Sequence, residues 1–368
     1  MAGARPGDAR RTLPADLERL PWPEIARRAA EALPEPTRRY WLTGARDGRA
    51  MEESAAAWGA WWIRPRRLGG EEDTPILATH LAGTPVAHPV VVGPSAAHRL
   101  GTPRGELATA EAVAAHGGLI VVSTSATVPI EEIARVPGIR FWFQLYPLAD
   151  ATGTEAMVRR AVDAGAEAIV LTVDMTADGR SGDLPASGFV TPAGIGYPMH
   201  PAEVARLPRL DWGWATALAG RAGVPVLLKG ILHPADALRA AELGFAGVVV
   251  STHGGRTLDS VLPSALALRE IAPAVGGRIP LHADSGIRRG SDILKALALG
   301  AQSAWVVRPV LWGLALAGAE GAAAVIGRLV RELAEEMAFA GIAGVDAIPD
   351  DLLVPRIPLP PPWQQEMA

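Results

Sequence analysis

Residues 248–259, VVVSTHGGRTLD, place His253 and Arg256 at the mouth of an apolar run, with Gly254 and Gly255 between them. An imidazole is the side chain best suited to move a proton near neutral pH. A guanidinium offers a planar fork that matches a carboxylate. The glycines let the backbone turn sharply or let a ligand approach closely. Other short apolar runs end in comparable groups. AIVLTVD ends in Asp174, with Arg180 shortly after it; VPVLLKG carries Lys229 next to its last residue; IPLHADSG carries Asp284; SAWVVRPV carries Arg308. Two arginines beside a histidine suit a small carboxylate substrate held next to a general base. A carboxylate such as Asp174 would fix the imidazole tautomer and stabilise its protonated form. Each residue also has a plainer role: a hydrogen-bonded structural histidine, a snorkelling lysine, or an aspartate that caps the next helix.

What brings such residues together is the arrangement of the runs. Eight short, β-branched segments recur, at 89–96, 118–126, 140–146, 168–174, 224–230, 247–254, 279–286 and 303–310. Each has the length of a buried strand. Alanine- and leucine-rich stretches such as EAMVRRAVDAG, PADALRAAELG and SDILKALALG lie between them and end in glycine, as helices do. Eight strand–helix alternations predict a parallel sheet, and the number fits a closed (β/α)8 TIM barrel. An open doubly wound sheet is the alternative. Polar residues at the C-terminal ends of nearly all the runs favour the barrel, whose active sites are built there. The segments ADSGIRRGSD and VVRP, after the seventh and eighth runs, sit where barrels often bind phosphate. A phosphate-bearing cofactor and a small carboxylate substrate are therefore expected.

The chain reads as a single domain. Residues 1–88 form N-terminal helices (1–60) followed by a hairpin within 61–88. Residues 89–345 form the barrel, and 346–368 a proline-rich, extended tail. A long Gly/Pro-rich loop over 181–211 follows the fourth strand. Of 368 residues, 49% are hydrophobic and 20% charged, which suits a sizeable core. A net charge of −4 gives no reason to expect nucleic acid or an anionic membrane as partner. With no cysteine, disulfides, thiolate chemistry and cysteine metal sites are excluded, and no metal is expected. The start, MAGARPGDARR, lacks the apolar run of a signal peptide, and no stretch reaches the length of a membrane span. A cytoplasmic location is the resulting expectation.

The series YWLTGARD, RPRRL, PRGELATAEAVA, FQLY, LTVD, GR at 179–180, LLKGI, STHGGRTLD, SGIRRGSD, KALALGA and RP, in this order over residues 20–345, resembles the FMN-dependent α-hydroxy-acid oxidases and dehydrogenases. That family includes glycolate oxidase, lactate oxidase and mandelate dehydrogenase. The resemblance implies oxidation of a 2-hydroxy acid to a 2-oxo acid, with FMN as cofactor and oxygen or another group as electron acceptor. It implies His253 as base, Asp174 as its partner, and Tyr146 on the substrate hydroxyl. Arg180 and Arg256, with Tyr40, would bind the carboxylate. Ala96, Ser123, Gln144, Thr172, Lys229, Ser251, Asp284, Gly286, Arg288, Val307 and Arg308 would line the cofactor site. Within that set, Lys229 stands at the flavin pyrimidine edge, and Asp284, Arg288 and Arg308 at the ribityl chain and phosphate. A homo-oligomer, commonly a tetramer, is implied in the same way.

Four positions depart from the family pattern. Thr252 stands for an asparagine, Ser285 for a glycine, Val307 for a glycine, and Ser125 for a larger residue over the substrate. Valine keeps its N–H for a phosphate oxygen but adds a Cβ that crowds the ligand. Ser125 and an altered loop after Arg180 predict a substrate bulkier than glycolate, an aryl or elaborated acid from a biosynthetic pathway. LWGLA and IPDDLLVP also resemble the branch of mycofactocin-type enzymes, which modify peptide-derived substrates; that branch often lacks the second arginine, present here as Arg256. Two further readings compete. One is a non-catalytic relative with impaired FMN binding. The other is a Schiff-base aldolase on Lys229.

Overall fold

The computed structural model describes residues 14–67, 74–175, 189–199, 207 and 210–356. Eight parallel strands close into a barrel: β1 (Val90–Val92), β2 (Leu119–Ser123), β3 (Arg140–Leu145), β4 (Ile169–Thr172), β5 (Val226–Ile231), β6 (Gly247–Val250), β7 (Leu281–Ala283) and β8 (Ser303–Val306). Each pairs with the next, and β8 returns to β1. Seven fall inside the runs expected from sequence, and β5 extends one residue past its run, to Ile231. The closed (β/α)8 barrel is confirmed, and the open sheet is excluded.

The strand period of two sorts each run into two faces. Val91, Leu119, Val121, Trp142, Ala168, Val170, Leu227, Val249 and Trp305 cluster inside the barrel. Their strand neighbours, among them Ile120, Val122, Phe143, Ile169, Leu171, Leu228, Val248 and Val250, join the larger core shared with the helices. Following the inward parity toward the C-terminal ends, the apolar series turns polar. Val121 leads to Ser123, Trp142 to Gln144 and Tyr146, Val170 to Thr172 and Asp174, Leu227 to Lys229, and Val249 to Ser251 and His253. The same alternation that fills the barrel therefore aims the polar groups at its mouth. β5 departs from regular pairing at Gly230, where its register with β6 shifts between Lys229 and Ile231.

Outside the barrel, helices begin at Pro14, Trp22, Glu35 and Arg49, in keeping with a helical N-terminal region. The expected hairpin lies at Thr79–Leu81 and Thr84–Val86. Its Leu81 and Val86 pack on the inner cluster, and Thr84 accepts a hydrogen bond from Trp142 Nε1 at 3.0 Å, so the hairpin plugs the end opposite the site. Trp61–Ile63 is not part of it. That strand pairs antiparallel with Leu353–Pro355, so the start of the extended tail is a sheet strand. Most of the 181–211 loop lies outside the described residues. The expectation that no segment has the length of a membrane span needs correction: the helix Arg308–Ala340 is long and apolar enough. It is interrupted by non-helical Ala317 and Gly318, and much of it is buried in the core.

Two buried histidines make this packing sensitive to acid. His282 lies among Trp142 and Trp305, inside the barrel, with Nδ1 2.7 Å from Ser303 Oγ. Burial pushes its pKa down to about 3. Burial, and after it the charge of His116, pushes His88 down to about 4. An unfolded chain protonates both near pH 6.5. Between that pH and the lowered values, the unfolded state binds more protons, so stability falls as pH falls. At pH 5 the loss is on the order of 2 kcal/mol for each histidine. The urea midpoint should therefore drop between pH 7 and pH 5. His282→Gln should lessen that drop, whatever it does to the midpoint at pH 7; an unchanged pH dependence would contradict this account.

Candidate active site

His253 emerges just beyond β6 with a backbone φ of 56°, in the left-handed region that L-residues seldom adopt. Its Nδ1 lies 2.9 Å from Asp174 Oδ1, and its Nε2 lies 3.0 Å from the Tyr146 hydroxyl. An ionised carboxylate oxygen can only accept, so Nδ1 carries the proton it donates. In the neutral ring, Nε2 is then the basic nitrogen and accepts from Tyr146. Burial alone would raise the Asp174 pKa. The charge of His253, its hydrogen bond and the charge of Lys229 outweigh burial, so the carboxyl sits below its usual value and stays ionised. The line Asp174–His253–Tyr146 can take up a proton at Nε2 and hold the resulting cation.

The backbone around this line has little room. Gly255 has a φ of 74°, and a Cβ there would stand 2.4 Å from Met51 N. The loop thus lies directly on the helix Arg49–Ala57, and Ala45 N donates to Gly255 O at 2.7 Å. Asp259 accepts from Asp47 N and Ala50 N, which fastens the far end of the loop to the same region. Gly230 has a φ of 105°, and a Cβ would come within 2.5 Å of Asp174 Cγ. The irregularity in β5 therefore makes the space that Asp174 occupies.

Below the histidine, Gln144 is fixed from both sides. Its Oε1 accepts from Ser123 Oγ at 3.1 Å, and its Nε2 donates to Thr172 Oγ1 at 3.0 Å. Lys229 is buried, donates to Ser251 Oγ at 2.7 Å and pairs with Asp284 at 3.0 Å. Asp284 is thus the counter-ion of Lys229 rather than a helix cap, and the lysine is not a snorkelling surface residue.

At the β7 and β8 ends stand two further cations. Arg308 is buried and donates to the carbonyls of Trp41, Thr43 and Gly254. Arg288 donates to the carbonyl of Ile287 and lies over the Trp312 ring. Neither forms an ion pair with a carboxylate among the described residues. Burial, then the charges of Arg288 and Arg256, push Arg308 well below the usual arginine value, and burial lowers Arg288 to about 10. Arg308 also begins a helix, whose first N–H groups favour an anion. A buried and a half-buried cation with no carboxylate paired to them fit a dianion such as a phosphate.

One cavity of about 560 Å³ joins these features. Tyr40, Ala96, Ser123, Ser125, Gln144, Tyr146, Thr172, Lys229, His253, Arg256, Asp284, Gly286, Arg288, Val307 and Arg308 line it. Asp174 and Ser251 touch its lining through His253 and Lys229. Arg180 lies outside the described residues. Arg256 is anchored, with Nη1 donating to the carbonyls of Tyr40 and Thr43 and its guanidinium 5.2 Å from the Tyr40 ring centroid. Val307 has a φ of −130°, so the left-handed geometry that favours glycine is not needed there. Ser285 does adopt it, at 69°. Sequence reasoning did not assign Trp41, Ser95, Met175, Ile287, Trp305 and Leu311 to the lining. Ser95 and Met175 immediately neighbour assigned positions, a signal that could have found them; Trp41 comes from an N-terminal helix and carries no chemical signature.

A family model described as FMN-dependent dehydrogenase matches residues 29–355. An L-lactate oxidase of Roseobacter sp. (strain GAI101) is 41% identical over 336 residues, covering 85% of this chain and 89% of its own. A crystal structure of mandelate oxidase with (S)-2-phenylpropionate superposes with a TM-score of 0.85 at 37% identity, over 91% of this chain and 98% of that one. A mandelate oxidase variant with the C4a-OH-FMN adduct gives 0.85 at 36% identity, over 91% and 99%.

Gly230→Ala should displace the Asp174 carboxylate and break its hydrogen bond to His253 while the barrel persists. A crystal structure of the variant checks this; a His253–Asp174 separation still near 2.9 Å would contradict it.

Proposed function

The chain belongs to the FMN-dependent dehydrogenase family, an FMN-dependent 2-hydroxy-acid oxidoreductase, and we propose that its own substrate is a 2-hydroxy acid bulkier than glycolate. The observation that carries the reading is the Asp174–His253–Tyr146 line, in one cavity with the half-buried Arg288 and the buried Arg308, neither ion-paired among the described residues. The arginines fit the FMN phosphate. Ser123, Gln144 and Thr172 offer a fixed set of hydrogen-bonding groups for the isoalloxazine ring, and Lys229 a positive charge for its pyrimidine edge. Bound there, FMN supplies a two-electron acceptor.

In this reading, the substrate carboxylate docks on Arg256 with Tyr40 and Arg180. Nη1 of Arg256 is already held by backbone carbonyls, so the fork is oriented before substrate arrives. Tyr146 hydrogen-bonds the substrate hydroxyl. His253 Nε2 takes one proton, and Asp174 holds the imidazolium that results. Two protons and two electrons leave the hydroxy acid in all, giving the 2-oxo acid. The small Ser125 and Ala96 in the lining support a larger side chain on the substrate. The name of the mandelate oxidase neighbour points the same way.

The test is the visible spectrum of the flavin-loaded protein without oxygen, with glycolate, lactate and mandelate added in turn. Mandelate should bleach it faster than glycolate does, and equal or faster bleaching by glycolate would overturn the size assignment. His253→Ala should keep its flavin spectrum and lose at least about 100-fold in reduction rate, the scale of general-base catalysis. Normal reduction in that variant would remove His253 from the mechanism.

A further inference from the structure

We infer that the Ser285 hydroxyl is a positioning group for His253, clamping the backbone on both sides of the base to the buried Lys229–Asp284 ion pair. The observation is a closed set of hydrogen bonds. Ser285 Oγ accepts from Thr252 N at 3.1 Å and from Gly254 N at 3.0 Å. It donates to Asp284 Oδ1 at 2.6 Å. The amide between those two, His253 N, donates to Ser251 Oγ at 3.0 Å, and Ser251 Oγ accepts from Lys229 Nζ at 2.7 Å. Lys229 closes the ring on Asp284 Oδ2 at 3.0 Å. Three consecutive amides, at 252, 253 and 254, therefore end on two serine hydroxyls, and both serines end on one ion pair.

The cost of this arrangement argues that it has a use. Ser285 has a φ of 69° and His253 a φ of 56°, both in a region that strains an L-residue. A glycine at 285 would remove the first strain but would leave two amides, one buried and one part-buried, without their acceptor. The strained serine is itself held in place. Trp58 Nε1 donates to Ser285 O at 2.9 Å, and Ser264 Oγ donates to Asp284 O at 2.5 Å and Ser285 O at 3.3 Å. Thr252 is tied on its other side, with Oγ1 3.2 Å from Ser54 Oγ. The imidazole points Nε2 at Tyr146 only while its backbone keeps the left-handed turn, and the clamp fixes that turn. Ser285 lines the same cavity, but its hydroxyl is committed to the 252 and 254 amides and to Asp284, so it acts through His253. Its sequence position, directly after the lysine's counter-ion, lets one hydroxyl reach both the ion pair and the histidine loop.

The inference rests on His253 being the base, and two readouts separate the two claims. The first is anaerobic stopped-flow reduction of FMN-loaded Ser285→Gly and Ser285→Ala by the acid that bleaches the parent protein. Both should lose about 10- to 100-fold in limiting reduction rate, with the substrate dissociation constant within about two-fold, as for a misplaced catalytic group. The glycine variant relieves the backbone strain and the alanine variant keeps it. A loss in alanine alone would mean that strain, not the hydroxyl, matters, and would overturn the proposal. So would parental rates in both. The second readout is amide hydrogen exchange of the 250–256 segment in the same FMN-loaded proteins. Exchange should quicken in both variants. Unchanged exchange would overturn the clamp. Faster exchange with no acid bleaching even the parent protein would leave the clamp standing and reject the base role.

Discussion

The site depends on the hydrogen bond from His253 Nδ1 to Asp174 Oδ1. It decides which imidazole nitrogen is basic, and it keeps a partly buried carboxylate ionised beside a group that must become cationic. The surrounding structure makes room for it. β5 is irregular at Gly230, where a side chain would overlap Asp174. The glycines after His253 lay the loop against the Arg49–Ala57 helix, and the 252–254 amides are held by Ser251 and Ser285. Tyr146, one inward step past Gln144, meets the opposite nitrogen.

The barrel has a simple electrostatic gradient along its axis. Its hairpin end is closed by Leu81 and Val86, its middle is filled by Trp142 and Trp305, and the buried Lys229–Asp284 pair and Arg308 stand at the other end. Lys229 and Asp284 neutralise each other there. Arg288 and Arg308 have no such partner among the described residues, and a bound phosphate would supply one.

Much of this is legible in the sequence, because alternation in a strand fixes both burial and direction. The eight runs, their polar ends, and the pairing of His253 with Asp174 follow from residue type and from the family resemblance. What was hidden needed the third dimension. Trp41 reaches the cavity from a helix outside the repeat. Trp61–Ile63 pairs with a strand almost three hundred residues away, which no local pattern records. Val307 departs from the glycine pattern, yet its φ is one that any residue adopts. Ser285 departs in the same way and does bear the strain, and only its hydrogen-bond partners explain why a serine stands there.

The most direct test of the central claim is the anaerobic reduction rate of FMN-loaded Asp174→Asn. An asparagine keeps the size of the side chain but not its charge, so the imidazolium loses its stabilising partner. The rate should fall by about 100-fold or more while the flavin spectrum stays intact. A variant that reduces its flavin at the parental rate would show that the Asp174–His253 bond shapes the loop without taking part in the chemistry.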